Sequence, residues 1–433
     1  MHVRLIDVAP SPSSGQSFQT LTLPRLAGCT PQDVRVSITD GRVERIDLRE
    51  PADLVGMTFS CNNSRQAYRM ADQLRARGVA VVAGGTHTTA MPQEALQHFD
   101  AVLSGEAEGG AWETLIEDFR AGRMEGVYRN GQSPSVSGLA PPRLDLLQHP
   151  ERYLDFTPIE ATRGCPHSCS FCFNSSIHGD AFRTRPVEEV VEDVRRATSR
   201  NLMFMDDNLC GKRGFAKELF RALIPLKKRL FFQSSLLMAE DAELMDLARR
   251  AGAQFVFVGI ESFEEGSLES VNKEWNRLDR YKQYIQTFHQ HGIFVSAGLI
   301  LGLDGDGPEV FQKTLRNLID IGVDNAAVNL LIPYPGTAFH AEMQRQGRIL
   351  TEDTRRYTGF DVVVRPAAMS IDQLQQGYDE VLRGFYSPSR YGRTMLKTGM
   401  WRKPHIYAMA WWREPRRRTV RSLGRHINRR GGE

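Results

Sequence analysis

Residues 162–174 read TRGCPHSCSFCFN, and they contain half of the six cysteines of the chain. The three thiols are Cys165, Cys169 and Cys172, which lie within a span of eight residues. A structural metal site normally closes with four ligands, yet no fourth cysteine follows nearby. The spacing therefore indicates a metal site that is completed by something other than a cysteine.

This cysteine stretch follows the first of six apolar segments that alternate with helical patterns. Short apolar runs bounded by small or polar residues are typical of buried strands, and helical patterns such as residues 185–198 and 239–252 separate them. Six βα units predict an incomplete (β/α) barrel, whose active site lies at the carboxyl ends of the strands. The candidate strands are residues 157–164, 201–207, 229–236, 254–262, 293–302 and 325–333.

The N-terminal part shows the same alternation, with candidate strands at residues 3–9, 53–59, 79–85 and 100–105. A helical pattern at residues 64–78 separates the second strand from the third. This order predicts a doubly wound α/β sheet, which binds ligands at the carboxyl ends of its strands. The small and polar residues at those ends are Thr58, Ser60, Gly84, Gly85, Thr86, Gly105 and Glu106. The alternative is that the glycines only make tight turns.

The length of 433 residues allows two or three domains. We predict a first domain at residues 1–135, a linker rich in Pro, Gly and Ser at 136–155, a second domain at 156–345 and a helical C-terminal region at 346–433. A net charge of +3 is too small to indicate a nucleic-acid partner. No signal peptide and no apolar run long enough to cross a bilayer are apparent. The pattern therefore favours the reducing cytoplasm, where clustered cysteines more often bind metals than form disulfides.

The last stretch of the chain is basic and contains several aromatic residues. Residues 390–433 hold thirteen Lys and Arg but only two acids. This composition suits a solvated basic helix at the bottom of the barrel, the interpretation we favour. The alternative is peripheral contact with an anionic membrane surface, or attraction of an acidic or lipid-like substrate. The interleaved aromatic residues are Trp401, Tyr407, Trp411 and Trp412.

Two metal sites are compatible with three clustered cysteines. In an iron–sulfur cubane each iron needs one ligand, so three thiolates leave one iron open for a substrate or cofactor. In a zinc site a histidine, His167 or His178, would be the fourth ligand. The position of the loop at the end of a barrel strand favours the cluster.

The stretch CPHSCSFC resembles the CxxxCxxC signature of the radical S-adenosylmethionine (SAM) superfamily, including the aromatic residue before the last cysteine. Four further stretches resemble motifs of its cobalamin-dependent branch, namely FMDDN (204–208), GIES (259–262), GLILGLDGD (298–306) and PYPGT (333–337). VVAGGTHTTAMP (81–92) and DAVLSGEAEGG (100–110) are similar to the cobalamin-binding domain that precedes that barrel. The resemblance covers residues 1–385. It implies that residues 1–135 form a Rossmann-like cobalamin-binding domain and residues 156–345 a TIM-like radical SAM core.

The resemblance implies roles for residues around SAM. Cys165, Cys169 and Cys172 would bind a [4Fe–4S] cluster, and SAM would chelate the open iron and yield a 5′-deoxyadenosyl radical. The backbone at Phe171 would contact the adenine, Asp206 the amino group of SAM, Ser234 its ribose or carboxylate, and Glu261 SAM or the substrate. For Asp206 the alternative is a helix cap, and for Ser234 a turn hydroxyl.

The resemblance also implies contacts with cobalamin. The strand-end residues of the N-terminal sheet would line its site, and His87 would meet its tail or phosphate, unless His87 is an ordinary loop histidine. The Asp-x-His-x-x-Gly motif that supplies a cobalt ligand elsewhere is absent, as is typical of this branch. At the end of the fifth barrel strand, the choice between Asp304 and Asp306 for the family's acid stays open.

The commonest reaction of this branch is methylation of an unactivated carbon through methylcobalamin. The resemblance therefore implies a C-methyltransferase that acts on a small molecule or natural product and takes electrons from a donor such as flavodoxin or ferredoxin. The alternatives are a cyclase or rearrangement enzyme with the same cofactors, and a non-catalytic protein that binds metal or cobalamin.

Overall fold

A computed structural model describes residues 1–9, 12, 16–178, 181–387 and 389–390. The basic, Trp-rich tail after residue 390 lies outside the described residues. The chain divides into two compact units. The first unit contains Met1–Asp207, Tyr334–Ala341 and Asp353–Arg355, and the second contains Asn208–Pro333, Glu342–Glu352 and the described residues from Arg356 onward.

The first unit is built around a six-stranded parallel sheet, the N-terminal sheet, with the order β2-β1-β3-β4-β5-β6. Its central strands are apolar on both faces, as expected of a parallel sheet that is covered by helices. The strands are β1 (His2–Asp7), β2 (Arg35–Asp40), β3 (Leu54–Thr58), β4 (Ala80–Gly84), β5 (Ala101–Leu103) and β6 (Gly126–Tyr128).

Helices cover both faces of this sheet, and their apolar stripes form two cores. In α2 the residues Ala67, Met70, Ala71 and Leu74 face one core, because residues three and four apart share one side of a helix. The helices are α1 (Thr22–Cys29), α2 (Ser64–Arg75), α3 (Thr86–Ala90), α4 (Pro92–Ala95) and α5 (Ala111–Arg120).

The sequence pattern does not predict the two edge strands, β2 and β6. Strand β2 reads RVSITD, and its first half is only partly buried. An edge strand has a neighbour on one side only, so it needs fewer apolar residues than the central runs that the pattern detects. Both omissions leave the predicted fold class, a doubly wound parallel sheet, unchanged.

The rest of the first unit contains the cysteine stretch and its flanking elements. Strands β7 (Thr157–Ile159) and β10 (Asn201–Phe204) pair in parallel. Between them, β8 (Thr162–Arg163) and β9 (Arg183–Thr184) form a two-residue antiparallel ladder. Two helices, α6 (Asn174–His178) and α7 (Val187–Arg196), complete this part.

The second unit contains four parallel strands that pair in chain order. They are β11 (Arg229–Ser234), β12 (Ala253–Glu261), β13 (Phe294–Leu301) and β14 (Asn325–Leu330). Helices follow the strands, as in a (β/α) barrel. They are α8 (Arg213–Leu223), α9 (Ala242–Ala251), α10 (Glu265–Glu269), α11 (Tyr281–Gln290), α12 (Val310–Ile321) and α14 (Ile371–Phe385). A further helix, α13 (Ala338–Arg345), begins in the Tyr334–Ala341 segment of the first unit.

The expected fold class is confirmed. The first series gives a doubly wound parallel sheet, the second gives six parallel strands (β7 and β10–β14) that alternate with helices, and α14 represents the C-terminal region among the described residues. The domain boundaries within that fold stay a prediction. No helix of the described chain combines the length and the apolar character needed to cross a bilayer.

Candidate active site

The three clustered cysteines lie on a loop, residues 164–182, that joins β8 to β9 and is called the cysteine loop below. The two-residue ladder closes this loop, with Thr162 opposite Thr184 and Arg163 opposite Arg183. Gly164 has a φ of +83°, and a Cβ atom there would lie 2.2 Å from the carbonyl oxygen of Ala181. Only glycine therefore fits where the loop begins.

The carboxylate of Asp206 fixes the start of the same loop. Asp206 is buried and follows β10. It accepts hydrogen bonds from the backbone N–H of Ala161 (3.1 Å), the hydroxyl of Thr162 (2.6 Å) and the backbone N–H of Thr162. Burial raises the pKa of Asp206 to about 7, since a carboxylate loses hydration there. The helix-cap alternative is wrong, because α8 begins at Arg213 with Lys212 as its N-cap.

A cavity of about 510 Å³ opens at the carboxyl edge of the N-terminal sheet. A doubly wound sheet binds its ligands at this edge. The cavity wall includes seven of the eight residues predicted in this domain, namely Thr58, Ser60, Gly84, Gly85, Thr86, Gly105 and Glu106. The eighth, His87, is not part of the wall.

Two glycines shape the floor of this cavity. Gly85 has a φ of +103°, and a Cβ there would lie 2.7 Å from the hydroxyl of Thr58 and 3.0 Å from the carbonyl oxygen of Phe59. Gly105 has a φ of +83°, and a Cβ there would meet no atom within 4 Å. Bare backbone thus borders open space, which lets a large, flat ligand approach closely. This cradle suits a corrin ring.

Other parts of the first unit form the opposite wall of the cavity, including Arg163, Ile177, His178, Met205 and Asp207. Met205 is 40% exposed, which is unusual for a large apolar side chain. Asn63 also lines the cavity, and its buried Oδ1 has no hydrogen-bond partner among the described residues. Buried polar atoms are normally paired. A ligand with both apolar and polar groups would cover Met205 and satisfy Asn63, so these residues fit cobalamin too.

Glu106 does more than line the cavity. Its carboxylate lies 2.8 Å from Arg163 Nη1, 3.0 Å from Arg183 Nη1 and 2.7 Å from His178 Nδ1. Burial raises the pKa of Glu106, but hydrogen bonds from His178, Arg183 and Arg163 outweigh it and hold the pKa well below its ordinary value. Glu106 is therefore a fixed negative charge between arms of the cysteine loop.

His87 lies away from the cavity in the structure. Its ring is buried, with Nε2 2.8 Å from the hydroxyl of Tyr68. That hydroxyl also donates to Glu94 at 2.9 Å. The predicted contact of His87 with the cobalamin tail or phosphate stays a prediction, and the Tyr68 hydroxyl gives the histidine a structural partner.

In the second unit, Glu261 ends β12 in a strained conformation. Its φ is +65°, which is uncommon for a non-glycine residue. Its carboxylate is buried and accepts a hydrogen bond from Lys273 Nζ at 2.8 Å. A Cβ on Gly259 would lie 2.2 Å from the Glu261 carboxylate and 2.8 Å from Lys273 Nζ, so the glycine of the GIES motif makes room for the pair. Strain of this kind is often found at functional sites.

Two other predicted strand-end residues of the second unit, Ser234 and Asp306, form hydrogen bonds with nearby residues. Ser234 is buried at the end of β11, with its hydroxyl 3.5 Å from Asn208 Oδ1. Asp306 accepts hydrogen bonds from Ser267 Oγ and from the backbone N–H groups after β13, and burial raises its pKa to about 6. Asp304 instead forms an ion pair with Arg348. Asp306 is thus the acid that organises the loop after β13.

The cysteine loop offers a donor set that suits a cluster. All six cysteines carry thiols, and the three on this loop are buried or half-buried, as is Phe171 beside them. Within the described residues, no three His, Cys, Asp or Glu side chains converge on a single metal ion. A cubane does not require such convergence, because each thiolate binds a different iron. His178, one proposed zinc ligand, is occupied by Glu106 at Nδ1.

Several residues of the site are not predicted from the sequence. Arg163 and Arg183 form ion pairs with Glu106, which precedes them by 57 and 77 residues. Lys273 pairs with Glu261 across a 12-residue separation that belongs to no single helix or strand, so no local pattern identifies these residues. Asn63 and Met205 become notable only through the orphaned amide oxygen and the exposed thioether. Met205 falls inside the candidate strand at residues 201–207, so no sequence signal distinguishes it from the apolar residues beside it.

Comparisons with known proteins identify relatives of most of the chain. Residues 159–318 match the model of the radical SAM superfamily. The chain is similar to the bacteriochlorophyllide d C-12(1)-methyltransferase of Chlorobaculum tepidum, with 30% identity over 352 residues that cover 79% of this chain and 76% of the relative. It is also similar to the hopanoid C-2 methylase of Rhodopseudomonas palustris, with 26% identity over 382 residues, 79% of this chain and 72% of the relative.

A solved structure has the same fold. It is that of the radical S-adenosylmethionine methyltransferase TsrM from Kitasatospora setae with cobalamin and a [4Fe–4S] cluster bound. The TM-score is 0.68, with 16% identity and 90% of each chain covered. At this identity the similarity concerns the fold.

Proposed function

Because the chain belongs to the cobalamin-dependent radical SAM enzyme family, we propose that it methylates an unactivated carbon of a small molecule. The relatives that match most of the chain are named as methyltransferases. The observation that carries the proposal is the arrangement of the first unit, in which residues at the base of the cysteine loop form a wall of the cavity at the sheet edge. A cluster loop and a corrin-sized cradle would thus serve one reaction.

Three cofactors belong to this family, and the chain offers residues for each. When bound, the [4Fe–4S] cluster, SAM and cobalamin supply one-electron cleavage of SAM and a transferable methyl group. Cys165, Cys169 and Cys172 would hold three irons and leave the fourth for SAM. The backbone at Gly84, Gly85 and Gly105 would bind cobalamin.

The remaining wall residues would bind and orient the ligands. The hydroxyls of Thr58, Ser60 and Thr86 can donate hydrogen bonds to the amide oxygens and phosphate of cobalamin, and Met205 can cover part of its apolar face. We place Phe171 at the adenine of SAM, and Asp206 at its amino group in addition to its hydrogen bonds with the loop. These roles are proposals.

In the second unit, Glu261 and Ser234 would contact SAM or the substrate. The ion pair with Lys273 holds the buried Glu261 carboxylate in one orientation, since a buried charge needs a nearby counter-charge. A fixed carboxylate can accept hydrogen bonds from ribose or substrate hydroxyls.

The proposed substrate class is taken from the relatives. The relatives are named for methylation of bacteriochlorophyllide d and of hopanoids, so a lipid-like small molecule is the first class to test. An electron donor such as flavodoxin or ferredoxin is part of the proposal, as is the cytoplasm as the working compartment. We propose no nucleic-acid partner, because no feature of the described residues indicates one.

Isotope labelling tests the proposed reaction without knowledge of the substrate. Anaerobic cells that express the wild-type chain or a Cys169→Ala variant are fed methionine with a trideuterated methyl group. We expect a small molecule with the mass shift of that methyl group in wild-type extracts alone. With the purified protein, S-adenosylhomocysteine and 5′-deoxyadenosine should both form. Formation of 5′-deoxyadenosine without S-adenosylhomocysteine or a methylated product would contradict methyl transfer and indicate cyclisation or rearrangement.

A further inference from the structure

The two ends of the cysteine loop meet at one carboxylate of the N-terminal sheet. Arg163 lies upstream of the first cysteine, whereas His178 and Arg183 lie downstream of the last. All three contact Glu106, at the carboxyl end of β5. The side chain of Glu106 is 7% exposed, so water competes little for these contacts.

Two neighbouring acids, Glu108 and Glu160, pair with the arginine at the upstream end. Glu108 lies 2.6 Å from Arg163 Nη2 and forms its ion pair with this upstream arginine. Glu160 lies 2.8 Å from Arg163 Nε and 3.3 Å from Arg25 Nη2. Within the described residues, Glu106 is therefore the acid that forms ion pairs with arginines at both ends of the loop. Asp207 also contacts both ends, through the backbone N–H of Gly164 and the side chain of Asn174.

We propose that Glu106 is a positioning residue that ties both ends of the cysteine loop to the wall of the cavity. The inference rests on the proposed function in one respect, since it treats the cysteine loop as the cluster-binding loop. Through this tie, the position of the cluster depends on the same strand end that borders the corrin cradle. Glu106 would thus act through Arg163, Arg183 and His178 rather than by contact with cobalamin.

The physical basis is the cost of a buried, uncompensated charge. Without the Glu106 carboxylate, Arg183 would retain the carbonyl oxygen of Pro134 at 2.6 Å but would lose its ion-pair partner. Arg163 would still have Glu108 and Glu160. Removing one member of a buried ion pair is strongly unfavourable because the other charge stays buried. The downstream end of the loop should therefore loosen while the upstream end stays paired.

A matched pair of variants separates this role from general loss of charge. Glu106→Gln and Glu108→Gln each neutralise one buried glutamate of the same cluster, with side chains 7% and 11% exposed. The measurement is hydrogen exchange of the full chain without cofactors, followed in peptides from residues 164–178. We expect exchange about tenfold faster in Glu106→Gln, and little change in Glu108→Gln.

A double-mutant cycle keeps the proposal testable if Glu106→Gln folds poorly. Arg183→Gln removes the downstream arm alone and leaves Glu106 paired with Arg163 and His178. Its effect on loop exchange should match that of Glu106→Gln, and the double variant should exchange no faster than either single variant. Equal effects of Glu106→Gln and Glu108→Gln, or additive effects of Glu106→Gln and Arg183→Gln, would overturn the proposal.

A spectroscopic readout separates the tie from the proposed function. In anaerobically reconstituted protein, SAM should change the electron paramagnetic resonance (EPR) spectrum of the reduced cluster less in Glu106→Gln than in wild type or Glu108→Gln. An identical change in all three proteins would overturn the coupling. Wild-type protein that takes up no iron would defeat the proposed function, while the exchange experiment would still decide whether Glu106 ties the loop.

Discussion

The carboxyl strand ends of the two units are built in opposite ways. In the N-terminal sheet, Gly84, Gly85 and Gly105 expose backbone around an open cavity. In the second unit, β12 ends in Glu261, whose charge is buried, strained and paired with Lys273. The first edge is formed by glycines, which have no side chains, and the second by a charged side chain that is held in one orientation.

This difference indicates what kind of ligand each edge can bind. An edge of small residues makes space and offers many weak contacts, which suits a large cofactor with a fixed shape. A buried carboxylate held by a lysine offers one strong, directional contact, which suits a polar group that must be oriented. The two edges should therefore respond differently to substitution.

Loss of the cluster should have the largest effect on activity. Both strand edges are proposed to serve one radical SAM reaction, which cannot begin without the cluster. Cys169→Ala removes one of three thiolates and leaves one iron without its protein ligand. We expect SAM cleavage to fall to the background level, measured as 5′-deoxyadenosine under anaerobic conditions. Cys210→Ala is the control, since the Cys210 thiol packs 3.5 Å from the sulfur of Met238. Equal loss in the control would mean that the assay reports folding.

Removal of Lys273 tests the edge that depends on charge. Lys273→Met leaves the Glu261 carboxylate buried without a counter-charge, which costs about 3–5 kcal/mol for a pair of this kind. We expect a clear decrease in the melting temperature and in SAM cleavage. Glu261→Gln in the same chain should restore much of the stability but not the cleavage.

The control for this variant is Lys282→Met, which removes an exposed pair with Asp320. Exposed pairs contribute about 0–1 kcal/mol. If Lys273→Met and Lys282→Met had the same effect, the Glu261 pair would not be a special feature of the second edge.

Substitution of Gly85 tests the edge that depends on space. Gly85→Ala places a Cβ against Thr58 and Phe59 at the cavity floor. We expect cobalamin affinity to fall about tenfold, equivalent to about 1.4 kcal/mol, in an absorbance titration. The iron content should not change. Gly122→Ala is the control, because Gly122 also has a positive φ (+69°) but lies on the surface with nothing near its Cβ position. A similar loss in both variants would indicate backbone strain alone.

The titration of Asp206 gives the smallest expected effect. Its pKa is raised to about 7 by burial, so the folded state retains a proton that the unfolded state releases. The stability from this group is therefore present at low pH and is lost as the pH rises through about 7. Between about pH 5 and pH 8, the melting temperature of wild type should decrease more than that of Asp206→Asn.

Asp353→Asn provides the control for that pH series. A hydrogen bond from Arg355 lowers the pKa of Asp353 to about 2, so this group stays ionised throughout the window. The variant should follow wild type across the series. If Asp206→Asn also ran parallel to wild type, the Asp206 carboxyl would not titrate there.

The parts of the site that depend on local sequence could be predicted. The CxxxCxxC spacing and the small residues after β3, β4 and β5 identify the loop and the cavity, because strand ends of parallel sheets meet at one edge. Gly85 illustrates this, since its need for a positive φ follows from a tight strand-to-helix turn. The fold class was predictable for the same reason.

The parts that depend on distant partners could not be predicted. Glu106 was expected only as a cobalamin contact, yet Arg163 and Arg183 follow it by 57 and 77 residues and form ion pairs with it. Lys273 pairs with Glu261 across a loop whose path the sequence pattern does not specify. His87 belongs to a strand-end motif but is buried against Tyr68. Ion-pair partners depend on tertiary packing, so short sequence motifs do not predict them.

The central claim is that the cysteine loop holds a cluster with one iron open for SAM. The most direct test is the EPR spectrum of the anaerobically reconstituted, reduced full-length protein, recorded with and without SAM. The account predicts a reduced [4Fe–4S] signal that changes when SAM is added and is lost in Cys165→Ala, Cys169→Ala and Cys172→Ala. A colourless protein that takes up zinc instead of iron, or a cluster signal that SAM leaves unchanged, would contradict it.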